Sequence, residues 1–122
     1  MKLDWEKAVH VANQAVFLNI NRSLTDIEVI VLKGAWQRQE YDEIAAQHQY
    51  ATSYISQDVA PKLWKILSEA LGEKVKKSNF KQALERYWQK QIEHLRTIRD
   101  RILTNARCSN NLLLLYQHIL QQ

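Results

Sequence analysis

Very little in this chain interrupts a helix. Its 122 residues contain two glycines, Gly34 and Gly72, and one proline, Pro61. Such scarcity of helix breakers, with few β-branched runs, argues against a sheet and for an all-α fold. Cys108 is the single cysteine, so an internal disulfide is excluded and a reducing compartment suits the chain. No apolar run reaches the length of a membrane span, so no membrane partner is expected. The opening MKLDWEKAVH carries acids where a signal peptide is basic and then apolar, so a cytoplasmic location is expected. A glycine-rich phosphate loop is missing. His10, His48, His94, His118 and Cys108 fall at no ligand spacing, so neither a metal nor a cofactor is expected. No Ser–His–acid grouping stands out, and Asp42 and Glu43 read as acids favoured by a helix N-terminus rather than as a catalytic pair. The chain is therefore not expected to be an enzyme.

What remains is a succession of amphipathic helices. The first is expected over roughly Asp4 to Asn19, capped by Asp4, with Trp5, Val9, Ala12 and Val16 as its core stripe. Thr25-Asp26-Ile27-Glu28 is a capping box that opens a second helix ending at Trp36, with Ile27, Ile30, Val31 and Gly34 facing inward. A third runs from about Tyr41 to Gln47, and a fourth starts near Thr52. Pro61 lacks an amide donor and crowds the carbonyl four residues back, so either a kink or a break is expected near Val59 to Ala60. Gly72 stops this helix. Val75 in the following basic connector serves either as a brief strand or as a buried anchor. Ser78 is expected to cap a long final helix to about Arg107, in which Phe80, Leu84, Tyr87 and Trp88 pack on the domain.

Tyr41 to Leu71 carry the most information, because they read as a helix-turn-helix. Ala45 is small enough to let a second helix cross closely above it, and Tyr50 is placed to plug the space between the two. Ile55, Val59 and Leu63 recur at i, i+4 and i+8 as one apolar stripe. Thr52, Ser53, Ser56 and Gln57 face the other way, where a recognition helix meets base edges in a major groove. Gln49 stands in a turn whose backbone favours a positive φ, a position that suits glycine better. Ala51 cannot cap the second helix, which leaves the role to Thr52.

Charge is unevenly placed over the net +4 of the chain. Residues 1–51 hold five Lys or Arg against seven acids, 52–71 hold two against two, and 72–107 hold ten against four. The basic surface therefore follows the proposed recognition helix instead of lying on it. Lys74, Lys76, Lys77, Lys81 and Arg86 either track phosphates or form the solvated face of a long helix. Further on, Ile92, Leu95, Ile98 and Ile102 sit three or four residues apart among charges, a coiled-coil-like seam. Leu112 to Leu115 form a row that cannot all face one small core. That tail either packs back across the long helix or buries itself in a partner.

The pieces Leu3-Asp4-Trp5, Ala12-Asn13, Ala15-Val16-Phe17, Leu24 to Glu28, Leu32 to Gln37 (LKGAWQ), Tyr41 to Ala45 (YDEIA), Asp58 to Leu71, Asn79-Phe80 and Ala83-Leu84-Glu85 carry a family resemblance. From Leu3 to Trp88 the chain resembles the N-terminal helix-turn-helix domain of cyanobacterial multidomain signalling proteins. These are the von Willebrand A–MoxR-associated type and the NACHT, NB-ARC or AAA-like ATPases. The spacing of the third and fourth helices is also similar to the output domains of LuxR-type regulators. The resemblance implies a helix-turn-helix fold and DNA binding. The chain departs from the usual pattern at Gln49, where a glycine is expected, and at Gln57, where a basic residue is more usual.

The expected architecture is thus an all-α helix-turn-helix domain of four to five helices over residues 1–88. A helical extension over 89–122 follows, comprising the long C-terminal helix and a short apolar tail helix. Two functions compete. In the first, the chain is a transcriptional or signalling regulator that binds double-stranded DNA as a homodimer. Ser53, Ser56 and Gln57 then face bases, while Thr52, Lys62, Lys65, Lys74, Lys76 and Lys77 hold phosphates. Ile92, Leu95, Ile98 and Ile102, with Leu112, Leu113 and Leu115, join two copies. In the second, the same fold is a protein–protein interaction module that docks a protein partner through its C-terminal helices and leaves DNA alone.

Overall fold

A computed structural model describes residues 3–105 and 119–120. Its helices are α1 (Trp5–Ile20), α2 (Asp26–Trp36), α3 (Tyr41–Gln47), α4 (Ala60–Leu71) and α5 (Phe80–Asn105). A π-helical segment, Tyr54–Val59, runs directly into α4. The chain divides into two compact units, Met1–Tyr87 and Trp88–Gln122, with the boundary inside α5. No helix among the described residues is long and apolar enough to cross a membrane. The leucine row, with Leu112, Leu113 and Leu115, lies outside the described residues.

Local chemistry sets the helix ends. Asp4 Oδ1 accepts the amide of Lys7 at 2.8 Å and caps α1. The helix closes on Asn21, whose φ of 58° is the left-handed conformation that asparagine tolerates. Asn13 Oδ1 then takes the amide of Leu24 at 3.0 Å, fastening the loop to α1. The capping box of α2 is complete: Thr25 Oγ1 accepts from the Glu28 amide at 3.3 Å, and Glu28 Oε1 accepts from the Thr25 amide at 2.9 Å. The same carboxylate takes Arg22 Nη1 at 2.9 Å and is itself buried. Burial pushes the Glu28 carboxyl up. The bonds from Arg22 and Thr25 outweigh that effect and hold it below the ordinary carboxylate value.

The apolar faces differ in detail from the sequence pattern. Trp5 and Val9 are only half-buried, and Ala8, Val11 and Ala15 join Ala12 and Val16 on the inward face of α1. This face of small residues packs against α4, where alanines permit close approach. On α2, Ile27 and Ile30 are half-buried, while Val31, Leu32, Gly34 and Ala35 are buried. Gly34 marks a close crossing: a Cβ there would overlap Cγ1 and Cδ1 of Ile44 on α3, and Ile44 is itself fully buried. Aromatic rings link the remaining elements. Trp5 meets Trp36 at 6.0 Å between centroids, Trp36 meets Phe80 at 6.1 Å, and Phe80 meets Trp64 at 5.3 Å.

Pro61 neither breaks nor simply kinks the helix. The amide of Ala60 bonds to the carbonyl of Ile55, five residues back. The backbone widens into a π turn, which accommodates a residue that cannot donate and whose ring would crowd the carbonyl of an ordinary turn. Gly72 ends α4 at φ 75°. Val75 is a buried anchor: its amide donates to Ser68 Oγ at 2.8 Å, and Ser68 Oγ donates to the Trp64 carbonyl at 2.7 Å. The expected cap Ser78 lies in the turn before α5. Asn79 takes the capping place, with its carbonyl accepting from Ala83 and its side chain bonded to the Lys76 amide and the Lys74 carbonyl.

Gly34→Ala is expected to overpack the α2–α3 crossing and destabilise the fold by about 1–3 kcal/mol, read as a lowered Tm. Glu28 has a depressed folded-state pKa. Its contribution is therefore complete above the unfolded value of about 4.3 and is lost as pH falls through the folded value. In thermal melts across pH, Glu28→Gln lowers Tm at neutral pH, and the gap from the native chain narrows in acid.

Candidate nucleic-acid interface

The helix-turn-helix is formed by α3, a turn, and the helix that starts at Thr52 and continues through the π segment into α4. Gln49 does adopt the left-handed conformation, at φ 62°. The amide of Tyr50 then donates to the carbonyl of Ala45 at 2.9 Å and closes the end of α3. The carbonyl of Ala51 accepts from Tyr54 at 3.1 Å and from Ile55 at 3.3 Å, which begins the second helix. Thr52 therefore lies inside the first turn, and no side chain caps it. Tyr50 does not plug the crossing. Ile55 is fully buried, while Tyr50 stays exposed and meets Tyr54 at a tilt with centroids 5.8 Å apart. A hydrogen bond from Trp64 Nε1 to Tyr41 Oη, at 2.9 Å, fixes α3 against α4.

The apolar stripe of Ile55, Val59 and Leu63 is buried, as its spacing predicts. Thr52, Ser53 and Gln57 are exposed and Ser56 is half-buried. Lys62 and Lys65 are exposed further along the same helix. None of these six side chains has a hydrogen-bond or ion-pair partner among the described residues. They present free donors and acceptors to an incoming molecule.

The basic connector is placed differently. Lys74 and Lys76 are exposed but follow the C-terminal end of α4, whereas Thr52 and Ser53 precede its start. Val75, between the two lysines, is bound to Ser68, so at about 1.5 Å per residue the two groups lie on the order of 20–25 Å apart along the helix. Lys77 pairs with Glu40 at 3.6 Å and rests over the Tyr41 ring at 4.6 Å. Lys81 sits over Trp36 at 4.7 Å, and Arg86 bonds Glu73 through Nε at 3.0 Å. Asp58 is exposed next to Gln57, and the first turn of α3 carries Asp42 and Glu43. Sequence reasoning passed over Tyr54 and Asp58. Tyr50 lies in the turn before the second helix, so helical spacing gives no signal of its contact with Tyr54.

In the second unit, Ile92, Ile98 and Ile102 are half-buried, and Leu95 and Leu103 are exposed along α5.

The N-terminal helix-turn-helix model of vWA-MoxR associated proteins matches residues 3–87. The chain belongs to this family. The match ends where the first compact unit ends, at Tyr87, so the vWA-MoxR-associated domain includes the first two turns of α5 as well as the helix-turn-helix pair. No curated protein and no solved structure matches the chain.

The left-handed backbone at Gln49 costs a side chain that glycine does not carry. Gln49→Gly is expected to stabilise the domain by about 0.5–1 kcal/mol, after the larger unfolded-state entropy of glycine is subtracted. Denaturant titration measures it, and a lower midpoint would contradict the turn geometry.

Proposed function

We propose that this helix-turn-helix domain binds double-stranded DNA, acts as a homodimer, and serves transcriptional or signalling regulation without catalysis. The observation that carries the reading is the unpartnered polar row Thr52, Ser53 and Gln57. It lies on the second helix of the motif, with Lys62 and Lys65 free further along. Gln57 has the amide that bonds the N6 and N7 edge of adenine, and Ser53 suits either base type. Ser56 contributes from its half-buried position. Lys62 and Lys65 supply phosphate contacts, with Lys74 and Lys76 reaching a more distant stretch of backbone. Lys77, already paired with Glu40, contributes least. Ile92, Leu95, Ile98 and Ile102 provide the apolar seam for a second copy.

A protein-docking module is the second reading. It is favoured by the exposed Tyr50–Tyr54 pair and by Asp58 within the row, since tyrosine is enriched at protein interfaces and a carboxylate repels phosphates.

Fluorescence anisotropy on random-sequence duplex DNA at two salt concentrations, with light scattering on the same sample, separates the two. DNA binding predicts affinity that falls steeply with salt, and a dimer mass. On a selected site, Gln57→Ala should cost about 1–3 kcal/mol of discrimination at one base pair. Lys62→Ala with Lys65→Ala should weaken every sequence and reduce the salt slope by roughly 2. No binding at low salt, with a stable oligomer in scattering, would transfer the domain to the docking reading.

A further inference from the structure

We propose that the cleft between the α2–α3 turn and the first turn of α5 binds a compact polyphosphate anion. The cleft is open to solvent, has a volume of about 500 Å³, and is lined by Ala35, Arg38, Glu40, Lys77, Ser78, Phe80, Lys81 and Gln82. Three cations and one carboxylate face it. Lys77 and Lys81, one helical turn apart in sequence, are each held over an aromatic ring, at 4.6 Å from Tyr41 and 4.7 Å from Trp36. The rings fix two ammonium groups at one opening, and Lys77 also pairs there with Glu40 at 3.6 Å, so a bound polyanion competes with that carboxylate. Arg38 brings a guanidinium whose planar fork suits phosphate oxygens, and Ser78 and Gln82 add neutral donors. The start of the 26-residue α5 contributes positive potential at the same place.

The charge around the rim selects size. Glu40 lines the cleft and pairs with Lys77, and Asp42 and Glu43 follow it on the exposed first turn of α3. A duplex passing this surface would bring successive phosphates against those carboxylates. A short polyphosphate enters the cleft without meeting all of them. The proposal is independent of DNA binding by the row at Thr52 to Gln57.

Calorimetric titration of the full chain with pyrophosphate, at low ionic strength and without DNA, tests it. Saturable binding is expected, and Lys77→Gln with Lys81→Gln should weaken it by about tenfold or more. Lys74→Gln with Lys76→Gln removes the same charge outside the cleft and should change it by less than about twofold. Arg38→Gln, at an exposed turn, repeats the test if the lysine pair disturbs folding. Tighter binding of ATP than of pyrophosphate would assign the site to a nucleotide, and equal binding to the polyphosphate alone; both support the cleft. No binding, or equal loss in the two lysine pairs, overturns it. So does a cleft variant that loses duplex affinity selectively while pyrophosphate binding is unchanged. Duplex binding measured separately keeps this result distinct from the fate of the DNA reading.

Discussion

Phe80 is the residue on which the domain's assembly depends. It is almost wholly buried and contacts Trp36 of α2 and Trp64 of α4. Trp36 extends the contact to Trp5 on α1, and Trp64 extends it through a hydrogen bond to Tyr41 on α3. Each aromatic pair adds about 0.5–1.5 kcal/mol beyond the area it buries. A helix-turn-helix pair alone has no wall for this side of α4. The start of α5 supplies that wall, which accounts for a family boundary at residue 87 instead of at Gly72.

The arrangement also redirects the basic residues after α4. Once Phe80 is inserted, Lys77 and Lys81 flank it and are drawn over Tyr41 and Trp36. Arg86 is bound to Glu73. The excess positive charge of residues 72–107 is therefore partly spent on the fold. The free cations of the helix-turn-helix itself are Lys62 and Lys65, and Asp58 stands close to them in sequence. This leaves an exposed face on the second helix that is polar more than it is charged.

Much of the fold was legible in the sequence because the signals were local. Asp4, the Thr25–Glu28 box, Gly72 and the unusual Gln49 each act on their own backbone neighbours, and each appears where its chemistry demands. The failures came from contacts between distant residues. Val9 and Ile30 fit a helical stripe, but the choice of face on α1 and α2 is made by the helices that cross them. Tyr50 is expected between the two helices, yet it stays exposed while Ile55 is fully buried. For the candidate site, periodicity separated Thr52, Ser53 and Gln57 from the buried stripe. It gave no warning that Lys77 would be captured by Glu40, thirty-seven positions earlier in the sequence.

The π turn before Pro61 sets the angular phase between the two halves of the second helix of the motif. A π turn accommodates an extra residue within a helix, and one residue corresponds to a rotation of about 100° around an α-helical axis. Ile55 and Leu63 both remain buried across it. The polar row before the proline and the lysines after it are thus clocked against each other by a single imino acid. A chain with another residue at this position and regular hydrogen bonding would present Ser53 and Gln57 at a different angle from Lys62 and Lys65. Substitution at Pro61 would then change which side chains share a face while leaving their identities untouched.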